Sequence, residues 1–392
     1  MKKTVLKYSY GRQTITKRDI QAVIRALKSP NLTQGPMIAE FEQTICKLVG
    51  AKYAVAVTNG TAALHLACLS AGVGSGDEGI TSAMTFVASA NCIAYCGGTV
   101  RLADIDETTG LIDPQEIKKK ITKKTKVIIP VHYAGQSCDM ERIRALTKGR
   151  KITIIEDAAH AIGSEYKGTK VGSCTYSDMT VFSFHPVKTI TTGEGGVITT
   201  NRKNLYDKLI TLRTHGITKD PSKFAYSSHA SEPWYYEMQE LGFNYRITDI
   251  QAALGTSQLS QIAQFIKRRN QLVSLYDQLF SNHPFITPLR HVPYGKSCRH
   301  LYVIRIDFRA LGKKRRDIMN SLATKGIGTQ VHYIPVYAQP YYVKKYAFDE
   351  KNYPQTNRFY GQCLSIPLYS ALTQREARQI GRVIIHECHN PH

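Results

Sequence analysis

The 392-residue sequence has a single tryptophan, and no apolar run approaches the ~18 residues a membrane-spanning helix needs. The first residues, MKKTVLKYSYGRQ, are basic but lead into no apolar stretch, so they do not read as a secretory signal. Without a span or a signal, the expected location is the cytoplasm. Carboxylates are scarce beside cations: 30 Asp and Glu stand against 52 Lys and Arg, a net charge of +22. Paired cysteine spacing is also missing. The nine cysteines are Cys46, Cys68, Cys92, Cys96, Cys138, Cys174, Cys298, Cys363 and Cys388. The number is odd, and Cys92 and Cys96 have no second pair beside them. This excludes a zinc site of paired-cysteine type and reads as buried free thiols. No repeat and no low-complexity linker interrupts the chain.

What is present suits a globular protein with a large core in two or three domains. The surplus of cations raises nucleic acid or an anionic ligand as partners. The densest runs, KKKITKKTK at 118–126 and the cluster at 313–316, have no aromatics between the charges. They read as solvated helix faces and turns, so no nucleic acid is expected. A polyanionic substrate would be steered by the positive field.

Apolar spacing predicts helices over 17–29 and 37–49, then short apolar runs that alternate with helical ones. The runs are 54–57 (with a helix from Thr61), 127–131, 152–155, 180–184 and 196–200. Such alternation predicts an α/β fold with a mostly parallel sheet covered on both faces. Sheets of that kind bind ligands beyond the carboxyl ends of their strands, so a motif directly after an apolar run is a site candidate. Residues 257–280 read as one long helix. A strand at 301–308, a helix through Ile318 and Leu322, and a closing helix over 373–387 follow. The expected division is a large domain over 1–256 and a small α+β domain over 257–392. Residues 217–240 lack periodicity and read as a loop that is mobile or faces a ligand.

Three sites follow strand-like runs. Lys188 comes just after TVFSFHP and just before GEGG. A lysine there, if its amine is neutral, can form an imine, and glycines let the backbone approach a flat cofactor. Taken alone it reads as a surface lysine in a turn before it reads as an imine lysine. Asp157 ends the run ITIIED, where a carboxylate can pair with a pyridinium nitrogen or simply cap a helix. His160 lies three residues on and would face the same side of a helical turn. The stretch TNGTAAL leads a strand into a helix start that favours a phosphate, or is ordinary capping. Phosphate cradle, acid and imine lysine in one chain point together to one chemistry.

The order NGTAAL, TFVASAN, EDAAHAIGSEY, FSFHPVKTITTGEGG, GFNYRITDIQAALG and QVHYIPVY resembles the DegT/DnrJ/StrS sugar aminotransferases from about Tyr10 onward. The resemblance implies the fold type I architecture, pyridoxal 5'-phosphate as cofactor, a nucleotide-sugar substrate and L-glutamate as amino donor. The segments YSYGRQTI, NLTQGP, VHYAGQSCDM, LRTHGITKD and PWYYEMQELGFNYR are closest to the branch that acts on UDP-linked 4-keto-6-deoxy-N-acetylhexosamines.

Roles are implied position by position. Lys188 would bind the cofactor covalently, and Asp157 would pair with its ring nitrogen. His160 would lie near its phenolic oxygen, and Phe86 would stack on the ring. Thr61, Ala62 and Ser183 would hold the phosphate. Asn244 would reach the phosphate of a neighbouring subunit, which implies a homodimer. Arg246 would meet the donor carboxylate. Tyr10, the segment Pro30, Asn31, Leu32 and Thr33, and the segment Gln330, Val331, His332 and Tyr333 would line the sugar-nucleotide site. Phe86, Arg246 and His332 could instead serve structure alone. The sequence departs from the family pattern at Gly79, where an apolar strand residue is usual, and at Ala159, where close relatives often have cysteine.

Overall fold

A computed structural model describes residues 6–389 except 227, 228 and 230. The chain opens with α1 (Lys17–Leu27) and α2 (Pro36–Val49). Thr16 and Asp19 form a capping box that starts α1, while a proline begins α2 and Gly50, at φ 77°, ends it. Seven strands then build the main sheet: β1 (Tyr53–Val57), β2 (Glu78–Ser82), β3 (Thr99–Ala103), β4 (Thr125–Ile129), β5 (Thr153–Asp157), β6 (Met179–Ser183) and β7 (Gly196–Thr200). Their order across the sheet is β1-β7-β6-β5-β4-β2-β3. Only β7 runs against the others, being antiparallel to both β1 and β6. The central parallel strands β4 and β5 are buried on both faces, as their apolar runs require, while the edge strand β3 exposes Thr99 and Arg101. The predicted mostly parallel α/β sheet is therefore present.

Two helices follow β1 and β2: α3 (Gly60–Ser70) and α4 (Ala88–Tyr95). Gly79 in β2 has a packing reason. A Cβ at that position would lie 2.6 Å from the side chain of Ile93 in α4. Ile93 fills the space that the usual apolar strand residue would take.

The long helix predicted over 257–280 is broken. α5 (Asp249–Leu259) ends before Ser260, and α6 (Ile262–Phe280) begins after Gln261. The Asp19 carboxylate accepts from Ser257 Oγ at 2.6 Å and Gln258 Nε2 at 2.8 Å, which fastens α5 to α1. α6 turns away to cover a second, three-stranded antiparallel sheet of β8 (Ile286–Pro288), β9 (Tyr302–Ile306) and β10 (Cys363–Ile366). The closing helix α7 (Gln374–His389) packs beside α6 over the same sheet. Tyr8, from the start of the chain, is buried in this second core with Tyr276, Ile304 and Ile380. All nine cysteines are free thiols, seven of them buried. No described helix is long and apolar enough to cross a membrane.

Candidate active site

The carboxyl ends of β1, β2, β5 and β6 meet at a cavity of about 680 Å³. Tyr10, Thr61, Ala62, Phe86, Asp157, His160, Ser183, Lys188, His332 and Tyr333 all line it. Residues from opposite ends of the sequence are thus brought together as expected.

At one end lies the start of α3. Asn59 caps it by accepting the Ala62 N–H at 2.8 Å, and its carbonyl takes the Ala63 N–H at 3.1 Å. The N–H groups of Gly60 and Thr61 have no partner among the described residues and remain to meet an anion. Ala62 lines the cavity, but its own N–H is held by the cap. Gly60 is needed for close approach: a Cβ there would lie 2.9 Å from Ser183 Cβ. The bare backbone lets the helix start and the end of β6 form one cradle.

At the sheet's centre, Asp157 is buried at the end of β5. Its Oδ2 accepts from Ser89 Oγ at 2.6 Å and its Oδ1 from the Ala159 N–H at 3.1 Å. Ser89 also pairs with Thr85 Oγ1 at 2.7 Å. This carboxylate is oriented, not merely a helix cap. Ser89 was missed by sequence reasoning, although it stands within the TFVASAN motif, three residues after Phe86. Beneath it, Glu156 points to the other face of the sheet and pairs with His132 Nε2 at 2.6 Å.

Lys188 follows the end of β6 and is partly buried in the cavity wall. Enclosure pushes its ammonium down to about 8, against an opposing pull from the Asp157 charge. A useful fraction of the amine is therefore neutral near physiological pH. His160, His300 and His332 surround it. Burial and the positive Lys188 hold the His160 and His300 rings well below the usual imidazole range. His332 is pushed to about 3 by burial and by Lys188. All three are neutral at pH 7. His160 Nε2 meets Tyr333 Oη at 2.9 Å, while its Nδ1 is buried without a partner among the described residues. His300, not singled out from the sequence, packs its ring 4.4 Å from that of His160.

Phe86 is 56% exposed, which rules out a core role. Its open ring face, the unpartnered Nδ1 of His160, the free N–H groups at α3 and the depressed Lys188 form a donor set that fits pyridoxal phosphate. His332 has a structural duty as well, through Nδ1 to Ser365 Oγ at 2.7 Å.

The remaining predicted residues do not line this cavity in the single chain. Pro30, Asn31, Leu32, Thr33, Asn244 and Gln330 are exposed, and Val331 and Arg246 are half-buried. Isolated bridges fix their backbones: Thr33 to Thr248, Thr214 to Asn244, Val57 to Arg246 and Gln330 to Ser365. Arg246 makes no ion pair among the described residues, so it is not held in a structural salt bridge.

The match to known proteins covers the whole architecture. The model of the DegT/DnrJ/EryC1/StrS aminotransferase family matches residues 13–384. The spore coat polysaccharide biosynthesis protein SpsC of Bacillus subtilis is 40% identical over 95% of this chain and 94% of its own. The UDP-4-amino-4,6-dideoxy-N-acetyl-beta-L-altrosamine transaminase of Campylobacter jejuni is 37% identical over 94% of each chain. Helicobacter pylori PseC, an aminotransferase involved in pseudoaminic acid biosynthesis, superposes with a TM-score of 0.89 at 32% identity, covering 97% of this chain and 98% of that one. With this fold, this cavity and these relatives, the chain belongs to the DegT/DnrJ/EryC1/StrS aminotransferase family and is a pyridoxal-phosphate-dependent sugar aminotransferase.

Proposed function

We propose that the protein moves an amino group from L-glutamate to C4 of a UDP-linked 4-keto-6-deoxy-N-acetylhexosamine. The product would be UDP-4-amino-4,6-dideoxy-N-acetyl-β-L-altrosamine, on the cytoplasmic route to pseudaminic acid. The observation that carries the chemistry is a lysine with a depressed pKa and an anchored aspartate on one cavity. The full-length similarity to the Campylobacter transaminase supports the sugar.

Lys188 is the cofactor lysine in this reading, with Asp157 holding a proton on the ring nitrogen and Ser89 fixing Asp157. Phe86 covers one ring face and His160 faces the phenolic oxygen. The start of α3, with Thr61 and Ser183, takes the phosphate. When bound, the cofactor supplies an electron sink for the electrons released as a proton leaves the amino carbon. Lys188 Nζ takes that proton from the α-carbon of the donor and, in the second half-reaction, delivers one to C4 of the sugar. The neutral histidines add no charge to compete with Asp157. Asn244 completes the phosphate site of a second subunit, and Arg246 receives the donor carboxylate. The exposed segments 30–33 and 330–331, with Tyr10, form the rim where the nucleotide sugar lies. The division near residue 257 then puts the cofactor in one domain and part of this rim in the other.

A second reading is a transaminase for another UDP-4-keto-6-deoxy-hexosamine such as a bacillosamine-type precursor; the chain is as similar to a spore coat polysaccharide biosynthesis protein, at 40% identity, as to the altrosamine enzyme, at 37%. Incubation with glutamate and each of the two epimeric 4-keto sugars, following 2-oxoglutarate release, separates them. The altrosamine reading expects a clear preference for the L-epimer. Equal rates, or preference for the other epimer, would overturn it.

A further inference from the structure

A second cavity, of about 790 Å³, opens at the end of the sheet opposite the active site. Residues at the starts of β4 and β5, Lys126 and Thr153, lie in its wall. β5 runs from Thr153 there to Asp157 in the active site, so the two cavities are roughly 13 Å apart along the strand.

Six cations line this groove: Lys126, Arg144, Lys148, Arg150, Lys151 and Arg202. The only carboxylate in its lining is Glu141, and that is already paired with Lys167. Two of the cations are fixed from behind. Asp178, with only 2% of its side chain exposed, holds Arg202 at 2.6 Å and Arg144 at 3.4 Å, and also accepts the Ile154 N–H at 2.8 Å. The remaining guanidinium N–H groups are thereby oriented for a further partner. Lys126, Lys148, Arg150 and Lys151 have no carboxylate partner among the described residues.

Charges of one sign gathered in a concave surface repel one another and focus a positive potential. Four unpaired cations beside two anchored arginines match a multiply charged anion of compact shape. The volume lies within the range of small-molecule sites. Tyr176 is the only aromatic in the lining, too little to stack a strand of bases, and the surface is concave where a membrane is flat. We propose that this groove binds a polyphosphate-bearing small molecule at a site separate from the active site.

Calorimetric titration of the holoenzyme with inorganic tripolyphosphate tests this. The charge-reversal triple of Lys148→Glu, Arg150→Glu and Lys151→Glu changes only exposed groove residues. The matched triple of Lys47→Glu, Lys267→Glu and Lys344→Glu makes the same net change on exposed helix faces elsewhere. The groove triple should weaken binding at least about tenfold and the matched triple less than about twofold. The groove triple should keep the wild-type kcat and KM, which also shows that it folds. No binding by the wild type, equal weakening by both triples, or full binding by the groove triple would each overturn the proposal. A parallel sedimentation arm uses vesicles containing phosphatidylserine. Groove-dependent vesicle binding without tripolyphosphate binding would assign the surface to lipid headgroups and overturn it as well.

Discussion

Ser89 shows how a short side chain can set the chemistry of a longer one. Its bond to Asp157 is short, buried and charge-assisted, and such bonds contribute about 1.5–3 kcal/mol. Ser89→Ala should therefore lower kcat/KM at least about tenfold while the bound cofactor's absorbance persists. Wild-type kinetics would show that Asp157 orients itself. Lys188 makes a pH prediction. Its folded pKa lies below that of a free lysine, and only the neutral amine attacks a carbonyl. Covalent capture of pyridoxal phosphate by cofactor-free protein should quicken as pH rises through about 8 and level off above it. A rate flat across that range would contradict the depressed pKa. Lys188, Asp157 and Thr61 were legible as candidates in the sequence because each lies at the end of, or within a few residues after, an apolar run that becomes a strand. His300 was not, because it reaches the site from a segment with no such signal, 140 positions after His160.

Among the elements, β1, β4, β5, β6 and β7 were readable because burial writes apolar runs, whereas β2 (EGITS) and the edge strand β3 (TVRLA) have no such run and were not read. Nor was the break between α5 and α6. No glycine or proline marks Ser260 and Gln261, and the apolar spacing continues across them. The bend is imposed by the carboxylate of Asp19, which grips Ser257 and Gln258 from a helix far away in sequence. The contact of β2 with α4 is likewise tertiary. Gly79→Ala should drive a methyl into Ile93 and destabilise the protein by about 1–3 kcal/mol. Pairing it with Ile93→Ala should recover part of the loss in chemical denaturation, so that the double change costs less than the sum. Strict additivity would mean that the two positions do not touch.

For the whole molecule, the exposed Asn244 and the half-buried Arg246 stand outside the cavity of their own chain, although the backbone of Arg246 bridges Val57 at the end of β1. If sites are shared across a dimer, inactive Lys188→Ala and Asn244→Ala proteins should regain activity when unfolded and refolded together. A mixture that stays inactive would argue for self-contained sites. The order of strands has a further consequence. β6 and β7 are neighbours across about a dozen residues, so the hairpin that presents Lys188 closes a short loop. β1 joins β7 only across about 140 residues, and with it comes the helix start that faces the phosphate. Loop-closure entropy makes that pairing the slow one. During refolding the lysine should be in place before its phosphate cradle, so cofactor capture will lag behind the β6–β7 hairpin and serve as the clock for the late docking of β1.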